Sequence, residues 1–272
     1  MSSVYVIASG KGGVGKSTLT VNLATLLARA GHSVALIDAD IGLRGLDLFL
    51  NLEDQIVFDL VDVASGKCGL PQALISVPDL PNLDLLPASQ FSRVRDLEPK
   101  KLKKILALLK SGHEYVFVDC PAGLERGLRN VLNAGPDEIV LVVTPDDLCI
   151  RDAERVVDLL FEKKLPPPRL IVNRLNRDLI YAGEMYSAKT VAETLDLPLL
   201  GEVPDDPAVC LAQLRHKLAA DYVCESREAL LRIADRICGK QVSLPEIGKT
   251  KTPFFRRHFP REIKEVNENA AQ

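Results

Sequence analysis

Gly10-Lys11-Gly12-Gly13-Val14-Gly15-Lys16-Ser17-Thr18 is the stretch on which the reading of this chain turns. It satisfies G-x-x-x-x-G-K-[ST], a pattern whose glycines let the backbone wrap an anion with its N–H groups and leave no side chain in the way. Val4 to Ala8, just before it, is a short apolar run. Ser17 to Ala30, just after it, carries Leu19, Leu23, Leu26, Leu27 and Ala30 at helical spacing. The loop therefore joins a strand to a helix whose positive end faces the bound phosphates. Lys16 is expected to reach the β- and γ-phosphates as a catalytic cation, and Ser17 to ligate magnesium. Gly10, Lys11, Gly12, Gly13, Val14, Gly15, Lys16, Ser17 and Thr18 together form the expected nucleotide cradle. Gly10, Gly12 and Gly15 also spell G-x-G-x-x-G, with Asp38 near the place of a ribose-binding acid. Lys16-Ser17-Thr18 decides against that reading, because a dinucleotide site has no use for a lysine and two hydroxyls there.

Outward from the loop, apolar runs alternate with helical patterns. Val34 to Ile37, Leu83 to Leu86, Tyr115 to Val118, Ile139 to Val143, Leu170 to Val172 and Leu199 to Val203 read as buried strands. Pro99 to Lys110 is amphipathic, with Leu102, Ile105, Leu106 and Leu109 on one face; Ala153 to Phe161 and Tyr222 to Ile237 read as further helices. The fold class expected is α/β, a doubly wound, mostly parallel sheet with helices on both faces. One ATPase domain is expected over residues 1–239. Residues 240–272 are polar, contain Pro245, Gly248 and Pro253, and are expected to form a flexible linker and tail.

Three more acids carry chemistry. Asp119 ends the strand Tyr115-Val116-Phe117-Val118, where an acid can orient magnesium directly or through water. Asp38 and Asp40 lie just past the second strand, at the carboxyl edge of the sheet where ligands bind. Asp38 is expected with Ser17 and Asp119 around Mg2+, and Asp40 as the acid that holds an attacking water. The guanine-reading motif N-K-x-D is absent: Asn173-Arg174-Leu175-Asn176 has no acid in the fourth place. Adenine is therefore expected, with Asn173 on the base edge and Pro204 and Asp205 closing the pocket.

The net charge of -3 in 272 residues argues against a nucleic-acid partner. No stretch approaches the roughly 18 to 20 apolar residues of a membrane span, and the N-terminus lacks the pattern of a signal peptide. Cys68, Cys120, Cys149, Cys210, Cys224 and Cys238 form no C-x-x-C pair and are expected as reduced, mostly buried thiols of a cytoplasmic protein.

Lys11 is a lysine that an ordinary phosphate loop does not require. The K-G-G-V-G-K-[ST]-T form resembles the deviant Walker A loop of the ParA/MinD/nitrogenase-iron-protein superfamily of P-loop ATPases, whose architecture is of the SIMIBI type. Asp38-Ala39-Asp40-Ile41-Gly42-Leu43-Arg44-Gly45-Leu46-Asp47 is similar to switch I of the MinD branch, which usually has Asn at the Gly45 position. Val57 to Val63, Gln72 to Ile75, Asp119 to Glu125 at switch II, and Ile150 to Ala153 extend the likeness, which spans about Val4 to Ile237. The resemblance implies an ATP- and Mg2+-dependent homodimer in which Lys11 reaches the partner's phosphates, Asp40 positions the attacking water and Asp152 lies near the dimer interface. It also implies septum placement through a MinC-like inhibitor of FtsZ assembly, under a MinE- or DivIVA-linked topological factor. Two alternatives stay open: a ParA-like or FlhG-type positioning ATPase with another cargo, and an iron–sulfur carrier with Cys120 as the tempting ligand.

The same branch ends in an amphipathic helix that lies on anionic membrane, which makes the protein reversibly peripheral. Residues 253–266 fit that composition: Phe254, Phe255, Phe259 and Ile263 supply apolar insertion, and Arg256 and Arg257 face acidic lipid. Pro260 opposes a continuous helix, since an interior proline costs about 3 kcal/mol.

Overall fold

The computed structural model of this protein describes residues 2–249 and the backbone of 261–262. In chain order the elements are β1 (Ser3–Ala8), α1 (Lys16–Arg29), β2 (Val34–Asp38), α2 (Leu46–Leu50), α3 (Leu60–Ser65), α4 (Leu70–Ala73), β3 (Ile75–Val77), β4 (Leu80–Leu86), α5 (Pro99–Gly112), β5 (Tyr115–Asp119), α6 (Arg126–Asn133), β6 (Glu138–Val143), α7 (Asp147–Glu162), β7 (Arg169–Leu175), α8 (Arg177–Ala182), α9 (Ala188–Leu195), β8 (Leu199–Pro204), α10 (Pro207–Leu214), β9 (Tyr222–Val223), α11 (Glu225–Ile237) and β10 (Arg261–Glu262).

Eight strands form one sheet in the order β3-β4-β2-β5-β1-β6-β7-β8. All neighbours are parallel except β3, which runs antiparallel to β4 at the edge. β1 sits between β5 and β6, and its residues Val4 to Ala8 are buried. This explains why the central strands are continuous apolar runs: helices cover both faces, so neither side of the strand meets water. The strand order turns back on itself around β1, which places the loop after β1 at a topological switch point.

The helices follow their apolar stripes. On α5 the buried residues are Leu102, Ile105, Leu106 and Leu109, the face expected from spacing. Fully burying each such side chain contributes about 1.5–3 kcal/mol. Two boundaries and one element differ from the sequence reading. The last long helix starts at Glu225, because Tyr222 and Val223 are extended and Cys224 caps the helix, its sulfur accepting from the Arg227 N–H at 3.4 Å. The helix read from Ala153 begins at Asp147, where the Asp146 carboxylate caps it by accepting from the Cys149 N–H at 3.0 Å. β3 escaped the reading altogether: three residues are too few for a period to register.

Beyond α11 the chain folds back along the β8 edge. Arg236 donates to the carbonyls of Leu200, Val242 and Ser243 at 2.9, 3.0 and 2.7 Å. Ile247 is buried, and its N–H donates to Glu202 Oε2 at 3.2 Å. Phe254, Phe255, Arg256, Arg257, Phe259 and Ile263 lie outside the described residues. Arg261–Glu262 is extended and pairs antiparallel with β9, Arg261 opposite Val223 and Glu262 opposite Tyr222. A helix running through 253–266 is therefore not what these two residues adopt. The open edge of β9 offers main-chain partners that an isolated helical turn does not gain. No helix among the described residues is long and apolar enough to cross a membrane.

Candidate functional site

The loop between β1 and α1 takes the shape its glycines permit. Gly13 and Gly15 have φ of 76° and 97°, in the left-handed region where a side chain is strained. Gly10 is glycine for a different reason: a methyl group there would overlap the backbone carbonyl of Asp152. Helix α7 thus presses directly on the start of the loop. Asn173, at the end of β7, supports the other side by donating from Nδ2 to the Val14 carbonyl at 2.8 Å. The loop runs into the N-terminus of α1, which has no acidic residue in its first turn and so leaves its positive end uncompensated.

Lys16 is buried behind the loop. Ser17 Oγ donates to Asp119 Oδ2 at 2.5 Å, and Thr20 Oγ1 reaches Asp119 Oδ1 at 3.4 Å while donating to the Lys16 carbonyl at 2.8 Å. A hydroxyl and a carboxylate converge where a hard divalent cation needs oxygen ligands. Burial, and then the neighbouring Asp38 charge, push the Asp119 carboxyl up to about 7, against the pull of Ser17 and Lys16. A buried acid held this high is suited to exchange its proton for a cation.

Asp38, close enough to Asp119 for its charge to act there, holds backbone donors with both carboxylate oxygens. Its Oδ1 accepts from the Asp40 N–H at 3.0 Å, and its Oδ2 accepts from the N–H groups of Gly45 and Leu46 at 2.8 and 3.1 Å. These bonds gather residues 40–46 into a tight loop, with Gly42 and Arg44 at positive φ. Burial raises the Asp38 carboxyl while the three N–H groups oppose it. Through these three bonds Asp38 ties together the loop that carries Asp40. Asp40 is itself half-buried; burial raises its carboxyl and the Lys16 charge lowers it.

Lys11 extends from the outer side of the loop, 42% exposed, with Nζ 3.5 Å from Asp146 Oδ1. Asp146 was not singled out in the sequence, although it follows Thr144-Pro145 at the carboxyl end of β6, the same edge that selected the other acids. Burial works upward on Asp146, but Thr144, the Cys149 N–H and Lys11 outweigh it and hold the carboxyl below its ordinary value. Thr20 was likewise missed, because its hydroxyl meets Asp119, beside that of Ser17, only once α1 is wound. Asp152 lies beside Gly10 and pairs with Arg155 at 3.3 Å. Thr18 Oγ1 accepts from Gln213 at 3.2 Å. Gly12 faces the Ala122 methyl of the loop after β5. Pro204 ends β8, and the Asp205 N–H donates to the Leu175 carbonyl at 2.9 Å, which brings the β7 and β8 exits together beside Asn173.

The sequence matches the CobQ/CobB/MinD/ParA nucleotide-binding domain over residues 5–219. It is 41% identical over 247 residues to the septum site-determining protein MinD of Bacillus subtilis, a match spanning 90% of this chain and 92% of that one. The chain belongs to the MinD family. Its fold is close to MinD in the MinC:MinD cell division complex of Aquifex aeolicus, with TM-score 0.80 and 34% identity over 90% of this chain and 99% of that one. MinD of Pyrococcus horikoshii, solved with Mg-ADP, matches with TM-score 0.78 and 29% identity over 87% of this chain and 96% of that one. As a MinD-family member this protein is a P-loop ATPase of the deviant Walker A class, and its relatives are cell-division proteins. The fit to magnesium rests on the site itself: Ser17 and Asp119 supply the oxygens at the loop. Cys120 does not resemble a cluster ligand. It is buried, burial pushes its thiol well above the ordinary range, and its sulfur points at the Val118 carbonyl 3.9 Å away.

Proposed function

We propose that this protein is an ATP-dependent dimerising, membrane-attaching ATPase that regulates division-septum placement by recruiting an inhibitor of FtsZ assembly. The observation that carries the reading is the pairing of a buried Lys16 with an outward, half-exposed Lys11 on one phosphate loop. One lysine serves the nucleotide in its own subunit; the other is free to swing from Asp146 to a nucleotide held by a second subunit. The Lys11–Asp146 pair is exposed and long, and such pairs contribute about 0–1 kcal/mol, so it opposes that movement little.

In this reading the loop N–H groups and Lys16 bind the phosphates, and Ser17 and Asp119 hold Mg2+, which would neutralise charge between the β- and γ-phosphates. Asp40, presented by the Asp38-centred loop, orients the attacking water. Lys11 from the partner stabilises charge on the transferred group, as an arginine finger does. Adenine lies against Asn173, Pro204 and Asp205; the Nδ2 of Asn173 is committed to the loop, which leaves its carboxamide oxygen for the base. Asp152 borders the dimer face, being packed on Gly10. The ATPase domain covers residues 1–239, and residues 240–272 carry the membrane-targeting tail. Each tail alone binds weakly, and two on one dimer gain effective concentration. The homodimer recruits a MinC-like partner, as the complex of the Aquifex aeolicus relative suggests, and a MinE- or DivIVA-linked factor sets its position.

The test is co-sedimentation with anionic liposomes, with ATP, ADP or no nucleotide, using the full chain and a truncation after Gly248. ATP-dependent pelleting that disappears on truncation is expected. Equal behaviour in all nucleotide states would move the assignment to a ParA-like or FlhG-type positioning ATPase with another anchor.

A further inference from the structure

At the opposite edge of the sheet from the nucleotide loop, three side chains from distant parts of the chain meet. Cys238 ends α11, with its sulfur 3.5 Å from His32 Nε2. His32, in the turn between α1 and β2, places Nδ1 2.5 Å from Glu114 Oε2, just before β5. The Tyr115 ring stands edge-on to the imidazole at 5.3 Å and 90°, and its hydroxyl contacts the Cys238 sulfur. The imidazole is thus held on three sides. A carboxylate can only accept, so Glu114 fixes the proton on Nδ1 and leaves Nε2 as an acceptor toward the thiol. Nucleophile, base and orienting acid in that order are the arrangement that activates cysteine nucleophiles.

The six cysteines differ in surroundings. Cys120 and Cys149 are buried, Cys68, Cys224 and Cys238 are half-buried, and Cys210 is exposed. Burial of most thiols was expected from the sequence, and it holds for two. Cys238 alone among the described cysteines has an imidazole as its partner. Lys240 lies nearby but is bound to Asp235 at 2.7 Å.

We propose that Cys238, His32 and Glu114 form a thiol-modification site that takes small-molecule disulfides. His32 Nε2 accepts the Cys238 proton as the sulfur attacks one sulfur of the disulfide. A new S–S bond forms to Cys238, the original S–S bond breaks, and the departing thiolate takes the proton back from Nε2. The products are a mixed disulfide on Cys238 and one free thiol, with no electrons drawn from elsewhere. Glu114 is a positioning residue that acts through His32. The site lies away from the phosphate loop and uses none of its residues.

The experiment exposes the full-length native protein to oxidised glutathione and follows each cysteine by peptide mapping. Cys238 should form the mixed disulfide at least about tenfold faster than the more exposed Cys210, a conservative figure for a positioned base. His32→Gln should bring Cys238 down to the Cys210 rate or below while leaving Cys210 unchanged. Glu114→Ala should slow Cys238, and Glu114→Gln should restore most of the rate, because its carboxamide oxygen still accepts the Nδ1 proton. ATPase turnover of each variant checks that the fold is intact. A Cys238 rate no higher than that of Cys210 in the native protein overturns the proposal without any variant. A fast Cys238 that is indifferent to His32→Gln overturns it as well.

Discussion

In metal-free solution the Asp119 carboxyl, with pKa about 7 in the fold and an ordinary value of 3.8, holds its proton more tightly folded than unfolded. Between about pH 4 and 7 the folded state therefore binds more protons than the unfolded one, and stability falls as pH rises through that window. Below it both states are protonated, and above it both are ionised, so the slope vanishes. Asp119→Asn removes this slope. The variant's melting temperature, relative to the parent, should climb from pH 5 to pH 8 without nucleotide. With Mg-ATP the order should reverse, since only the parent gains from binding. Differential scanning fluorimetry at four pH values, with and without Mg-ATP, reads both. A parallel pair of pH curves would mean that Asp119 ionises freely. At Gly10 the constraint is steric. Gly10→Ala drives a methyl into the Asp152 backbone, and overpacking of this kind costs about 1–3 kcal/mol. Urea denaturation should show that loss, together with weakened nucleotide binding, because the loop and α7 must part. Gly12→Ala meets only the Ala122 methyl at 3.8 Å, so its stability should stay near the parent's.

At the scale of elements, the long apolar patterns were readable because burial on both sheet faces forces them. β1, β2, β5, β6, β7 and β8 all lie where continuous apolar runs predicted strands, and α5 buries the stripe its spacing marked. Short elements were not readable. α6 and α8 to α10 are six or eight residues long, too short to separate a period from noise, and β3 is visible only through its pairing with β4. The segment after α11 illustrates the same limit. It carries no period, yet Ile247 is buried against the β8 edge. Ile247→Ala should destabilise the protein by about 2 kcal/mol, the low end for a buried aliphatic at an edge. Chemical denaturation checks this, and an unchanged midpoint would mean that the segment rests on the core without bracing it. The bond from the Ile247 N–H to Glu202 should survive the substitution, since it uses the main chain.

At the scale of the whole molecule, the proposed cycle requires two subunits. Lys11→Ala should leave Mg-ATP binding within a few-fold of the parent but abolish turnover and the ATP-dependent dimer, because the lost contact lies in the partner's site. Asp40→Ala should bind ATP, fail to hydrolyse it and accumulate as dimer, provided that Asp40 serves the water and not the nucleotide. Light scattering with ATP or ADP distinguishes these outcomes; a monomeric Asp40→Ala protein in saturating ATP would place Asp40 in binding instead. By itself the sequence determined the phosphate loop, its neighbouring acids, the parallel α/β class and the family, because each is encoded in contiguous residues whose type is dictated by local backbone shape or by burial. Tertiary structure alone decided what those residues touch. Asp38 was readable as an acid at the ligand edge, but only the folded loop shows its carboxylate taken by three backbone N–H groups. Asn173 was readable at a strand end, but its bond to Val14 joins residues 159 apart. Lys11 beside Asp146, and Cys238 beside His32 and Glu114, have no signature in the chain. Their partners are brought together by strand order and helix packing, and no local spacing records that.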